Sequence, residues 1–189
     1  MKLVKIIIPC LLFNACMLGT SKHANFYTMN ATPAGAVSAD YTAIIGVNRI
    51  QLPKYMERPQ IVTQRKDSAQ VNISEFNRWV ETPSVLATRV LIQNLSALLP
   101  TAQIKENPLR RGEVDWTVIV EITMINAVLN EQAELTAWCT LKDNSGKIQS
   151  RQKFEYTVPV GKTYDELAKS YSQLLFKMSQ DIASLVIEK

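Results

Sequence analysis

Residues 116–124 read Trp-Thr-Val-Ile-Val-Glu-Ile-Thr-Met, and their alternation decides the fold. Trp116, Val118, Val120, Ile122 and Met124 point to one face at a period of two. Thr117, Ile119, Glu121, Thr123 and Ile125 point to the other, the pattern of a strand with one side on a core. Residues 129–141 alternate again, with Leu135, Ala137, Cys139 and Leu141 opposed to Glu134, Thr136, Trp138 and Thr140. Asp143-Asn144-Ser145-Gly146 is a turn signal, and residues 147–158 supply a third strand. Three long strands joined by short links predict an antiparallel meander with one wetter face.

Working outward, the C-terminal segment predicts a long helix. Thr163 and Glu166 stand in capping-box spacing. Tyr164, Leu167, Ala168, Tyr171, Leu174, Leu175, Met178, Ile182 and Leu185 follow at three- and four-residue intervals, which makes one apolar stripe for packing on a sheet. A second helix is expected over 83–99. Thr82 sits as N-cap and Pro83 at the first helical position, where its missing donor costs nothing. Val85, Leu91, Ile92, Leu95, Leu98 and Leu99 form its expected inner face, with Leu86 and Val90 to the side. Shorter strands are expected at 26–29, 43–52, 60–64 and 70–73, with a loop at 31–40. Together these elements predict a single α+β domain, a largely antiparallel sheet packed by two long helices.

The first twenty residues bound where such a domain works. Lys2 and Lys5 precede an apolar run at 6–13, which ends in Phe13-Asn14-Ala15-Cys16. A basic start, a short apolar segment and a small residue before the cut predict a signal peptide over 1–15. The run is too short to span a bilayer, which takes about 20 residues. A cysteine directly after Ala15 resembles the lipobox of bacterial lipoproteins. That resemblance implies a diacylglycerol and an N-acyl chain on Cys16, a tether over 16–25 and a folded body over 26–189. Met17 in place of an Asp implies the outer membrane by the same resemblance. Cleavage removes Lys2 and Lys5, so 21 basic residues become 19 against 17 acidic ones, and the formal charge falls from +4 to +2. A nearly neutral chain without basic runs interleaved with aromatics is not expected to bind nucleic acid.

The chain is poor in chemistry-bearing patterns. His23 is its one histidine, and it falls in the expected tether, which argues against a histidine triad or a His-rich metal centre. No Gly-rich phosphate loop, paired-cysteine spacing or nucleophile elbow occurs. Of three cysteines, Cys10 leaves with the signal and Cys16 takes lipid. Cys139 is left without a partner in an alternating apolar run, as a small hydrophobe. No enzyme, metal or dissociable cofactor is expected.

Two interior elements carry a more specific signal. The first is Leu52-Pro53-Lys54-Tyr55-Met56-Glu57-Arg58-Pro59-Gln60-Ile61-Val62, and the second is Phe76-Asn77-Arg78-Trp79-Val80-Glu81. With the lipobox ahead of them, these resemble the ABC-type transport auxiliary lipoproteins, the PqiC/YmbA-like family. Val80 and Thr82-Pro83 depart from its usual residues, and the Arg-Pro and Arg-Trp pairs are kept. The resemblance runs over the whole mature chain, including Trp138 and the closing helix. It implies an outer-membrane lipoprotein on the periplasmic face that serves an MCE-type intermembrane lipid transport system. There it would dock a periplasmic MCE-domain protein, form a ring-like homo-oligomer, meet phospholipid as a further partner and support membrane integrity. The alternative is a general structural or assembly lipoprotein of the outer membrane with another protein partner.

By the same resemblance, the candidate interface residues are Leu52, Pro53, Tyr55, Arg58, Pro59, Asn77, Arg78, Trp79 and Glu81. Their physical roles stay open at this point. Arg58 and Arg78 suit carboxylates, lipid phosphates or a braced loop. Tyr55 and Trp79 suit a subunit interface. Trp79 equally suits the core, with Arg78 held locally by Glu81.

Overall fold

The computed structural model describes residues 23–33, 35–106 and 112–189. The expected signal peptide, Cys16 and the first part of the tether lie outside the described residues. Eight strands and two helices follow in order: β1 Asn25–Tyr27, β2 Ile44–Val47, β3 Gln60–Gln64, β4 Val71–Trp79, α1 Pro83–Leu98, β5 Gln103–Glu106, β6 Trp116–Ala127, β7 Gln132–Asp143, β8 Ile148–Pro159 and α2 Tyr164–Ile187. They make two mixed sheets in one α+β domain, with strand orders β1-β4-β3 and β5-β2-β6-β7-β8.

The meander forms as the alternation requires. β6, β7 and β8 pair antiparallel in sequence order, and Asp143 seals the last turn. Its Oδ1 accepts from the Ser145 and Lys147 amides at 2.9 and 3.0 Å. Gly146 supplies the φ of +85° that the turn needs. Ala133, Leu135, Ala137, Cys139 and Leu141 are all buried, so the inner face of β7 is the expected one.

β6 departs from its expected phase at one point. The register slips between Ile122 and Met124, leaving Thr123 as the extra residue of a bulge. Beyond it the faces exchange, and Ile125 is buried while Met124 is only partly so. Strict alternation cannot anticipate a bulge, because one inserted residue flips everything after it.

β2 is shorter than expected and runs parallel to both its neighbours, β5 and β6. Past Val47 the chain stays beside β6 through the Gln51 amide to Val120 O bond at 3.0 Å and the Ile122 amide to Gln51 O bond at 2.9 Å. Pro53 then ends the pairing. The expected strand at 70–73 continues to Trp79 as β4 and joins β1 and β3 in a sheet of their own. The Asn126 side-chain amide donates to the Gln64 side-chain carbonyl and ties the two sheets together.

Both helices pack on the five-stranded sheet and on each other. α2 starts with the full capping box: Glu166 N donates to Thr163 Oγ1, and Thr163 N donates to the Glu166 carboxylate at 2.9 Å. Its stripe is buried from Leu167 to Leu185. α1 is rotated from expectation. Leu86, Ala87, Val90, Leu91, Asn94, Leu95 and Leu98 are buried, whereas Val85 and Ile92 are only half so. The cause is a polar seam between the helices. Buried Asn94 donates to Ser179 Oγ at 3.2 Å and accepts from the Thr32 amide at 3.0 Å. A search for apolar residues alone misplaces a face whose centre is an amide. Thr82 stands at the N-cap but makes no side-chain capping bond, so Pro83 is what starts α1.

Candidate functional site

The two distinctive sequence elements lie side by side. Gln60 of β3 is in register with Arg78 of β4, and the Trp79 amide donates to Pro59 O at 2.7 Å. β1 completes the layer on the other flank, with Phe26 opposite Arg78 and the Val80 amide donating to Tyr27 O at 2.9 Å. Residues 18 or more positions apart in the chain thus share one small sheet at the end of the domain where α2 begins.

Residues 52–59 form a braced loop rather than a free one. Pro53 leads into a 3-10 turn over Lys54–Met56, closed by the Met56 amide to Pro53 O bond at 2.8 Å. Met56 points inward and is buried, and Leu52 packs half-buried on the core. The Glu57 carboxylate accepts from Ser84 Oγ at 3.2 Å, which pins the loop to the first turn of α1. This bracing leaves Tyr55 held outward, 44% exposed, with Lys54 and Pro59 exposed beside it. Arg58 is half-buried, and among the described residues its Nε is buried without a hydrogen-bond partner.

The second element divides between core and surface. Trp79 is buried at 2% exposure and stacks on Tyr171 of α2, with ring centroids 5.9 Å apart and planes at 21°. Asn77 braces the sheet: its Oδ1 accepts from Tyr27 Oη at 3.0 Å and Asn25 Nδ2 at 3.2 Å, while its Nδ2 donates to Ser74 Oγ at 2.8 Å. Arg78 donates from Nε to Glu75 O at 3.1 Å. Glu81 pairs Arg89 of α1 at 2.6 Å rather than Arg78. Both members of that pair are well exposed, so it contributes little to stability.

Tyr171 is the residue the sequence reading did not single out here. It is buried, and burial first, then the neighbouring Tyr55 phenol, holds its hydroxyl above the ordinary tyrosine range. Tyr171 read only as one more member of an apolar stripe, which gave no sign that it underlies Trp79 and Tyr55. A cavity of about 10 Å³ remains among Leu52, Met56, Trp79, Ala87 and Tyr171. That is room for about one water, far below the several hundred Å³ of a small-molecule site. A larger cleft of about 440 Å³ lies at the β3–β4 turn, lined by Gln64, Arg65, Lys66 and Glu131, where Lys66 pairs Glu131 at 2.7 Å.

Among the described residues no group of three or more His, Cys, Asp or Glu is placed to hold a metal ion. His23 is exposed, two residues before β1. Burial pushes the Cys139 thiol up to about 12, which keeps it protonated and unreactive at neutral pH. Among the described residues no helix is long and apolar enough to cross a membrane.

The sequence matches the family model of the ABC-type transport auxiliary lipoprotein component over residues 27–183. The chain belongs to this family. The match runs from the end of β1 into the last turns of α2, so it takes in both sheets, both helices and both distinctive elements. No curated protein matches in sequence. Two crystal structures share the fold. One, of an uncharacterized protein, is 20% identical, has a TM-score of 0.72 and covers 87% of this chain and 99% of its own. The other, of a protein from Xanthomonas campestris, is 10% identical, has a TM-score of 0.68 and covers 86% of this chain and 94% of its own. At these identities the likeness is one of fold.

Proposed function

We propose that this protein is the outer-membrane lipoprotein subunit of an MCE-type intermembrane lipid transport system. Cys16, acylated after cleavage at Ala15, holds it to the periplasmic face of that membrane. Its body docks a periplasmic MCE-domain protein and works by binding, without catalysis. Several copies close into a ring, since a head-to-tail contact that closes makes one. Membrane integrity then depends on the subunit, because the lipid conduit depends on it.

The observation that carries this reading is the family match over 27–183, which identifies a transport auxiliary component. The local geometry is consistent with a docking role. The loop over 52–59 presents Tyr55 on a scaffold fixed by Met56, Trp79 and Ser84, so an exposed aromatic is held without ordering cost at the moment of binding.

Epistasis in native cells tests the proposal. Loss of this protein and loss of its MCE-domain partner are expected to give the same permeability defect, and loss of both to add nothing. A defect on losing this protein, with a normal barrier on losing every MCE-domain protein, would assign it instead to general outer-membrane assembly.

A further inference from the structure

The sheet β1-β4-β3 has a second side, turned away from the core. Parallel partners point the same way, so Phe26 and Arg78 share a face. Val80, two residues past Arg78, joins them. Asn25, Tyr27, Asn77 and Trp79 take the opposite side, as their contacts with one another and with Tyr171 require. That face carries exposed apolar side chains beside Arg78: Phe26 is 62% exposed and Val80 50%. Exposed aromatic and aliphatic side chains around an arginine have the composition of a surface that lies in a lipid interface.

Chain length supplies the second argument. Phe26 is ten residues from Cys16, so even a fully extended chain places it within roughly 36 Å of the acylated residue. The outward-facing residues of β1 are thus the first part of the fold that the anchor brings to the membrane. By contrast, Ile148, also 55% exposed, lies at the far end of β8 from Pro159 and α2. We propose that the face bearing Phe26, Arg78 and Val80 lies against the lipid surface that holds Cys16, with the Phe26 ring among the headgroups and Arg78 on a lipid phosphate. This inference rests on the acylation of Cys16, and it fixes which side of the domain meets the membrane.

The test uses the mature lipoprotein, purified in detergent and reconstituted into vesicles of phosphatidylethanolamine and phosphatidylglycerol. Acylation blocks Cys16 and burial protects Cys139, so a single introduced cysteine takes a fluorescent label. Phe26→Cys, Val80→Cys and the control Ile148→Cys all alter exposed positions. With nitroxide-bearing lipid in the vesicles, labels at 26 and 80 are expected to lose about half of their emission or more, and the label at 148 almost none, given the shallow depth of interfacial binding. Protein that floats with the vesicles while labels 26 and 80 stay as bright as 148 overturns the membrane face and leaves the anchor standing. Labels shielded from aqueous iodide in proportion to protein density, and not quenched by lipid, overturn it in favour of contact between copies. Protein that does not float, and whose mass lacks acyl chains, removes the anchor and this inference together.

Discussion

Trp79 and Tyr171 stack, offset, across the boundary between the small sheet and α2, 5.9 Å between ring centres and 21° from parallel. The contact joins a family element at the end of β4 to the middle of the closing helix, and Tyr55 of the braced loop lies close enough to perturb the Tyr171 phenol. It puts Trp79, for which an interface role and a core role were both open, in the core, while Tyr55 stays exposed. Trp79→Ala is expected to destabilise the domain by about 3–5 kcal/mol, the cost of emptying a buried tryptophan site. Tyr55→Ala, at an exposed position, should cost within about 0.5 kcal/mol. Urea unfolding of both variants checks this, and equal losses would contradict it.

The capping box is expected to govern α2. Thr163→Ala removes the acceptor for the Glu166 amide and should cost about 1 kcal/mol. Gly161→Ala should act on the same cap from outside, because an added methyl group would collide with the Glu166 carboxylate. Thermal unfolding of the two single variants and the double variant is expected to show losses well short of additive, since both disturb one cap.

Acid should weaken the fold through two particular carboxyls. Hydrogen bonds from the Ser145 hydroxyl, together with those from the Gln149 side chain and the Ser145 and Lys147 amides, lower Asp143 from 3.8 to about 2. The Thr163 hydroxyl and amide likewise lower Glu166 from its usual 4.5. Both groups titrate lower folded than unfolded, so on acidification the unfolded chain takes up protons first. Their stabilisation is complete above about pH 5 and is lost as the pH falls toward 2. Asp143→Asn should flatten the fall in melting temperature between pH 5 and pH 2, and an unchanged slope would contradict the role given to Asp143.

Thiol chemistry should find nothing to react with in the folded domain. Cys139 is fully buried, and its thiol is pushed up to about 12. A maleimide is expected to label it only after denaturant is added. Cys16→Ser should leave that protection intact, because Cys139 is shielded by the fold, and should release the chain from membranes. Rapid labelling of Cys139 in the folded variant would show that the core around β7 opens.

Much of the fold is legible in the sequence because its long elements obey one period each. The β6-β7-β8 meander, the buried face of β7 and the capped stripe of α2 follow from alternation, a turn signal and a capping box. What escaped is what breaks a period or depends on distant chain. The bulge at Thr123 flips Ile125 inward. Asn94 rotates α1 toward Ser179. β5 has too few residues to announce itself, and the separate sheet β1-β4-β3 depends on pairing between segments some 50 residues apart. At the candidate site, the two distinctive elements were visible as motifs, while their adjacency through Pro59 and Trp79 was not. Nor does spacing divide one short motif into Trp79 for the core, Asn77 for the sheet, Glu81 for Arg89 and Arg78 for the outer face.

Co-purification tests the proposal that this domain is the docking subunit of an MCE-type lipid transport system. Tagged full-length protein is extracted in mild detergent from its native cells and its partners are identified by mass spectrometry. An MCE-domain protein is expected to be recovered with it, and Tyr55→Ala is expected to lower the recovery while the fold stays intact. Repeated isolation of the acylated, folded protein without any MCE-domain protein would contradict it.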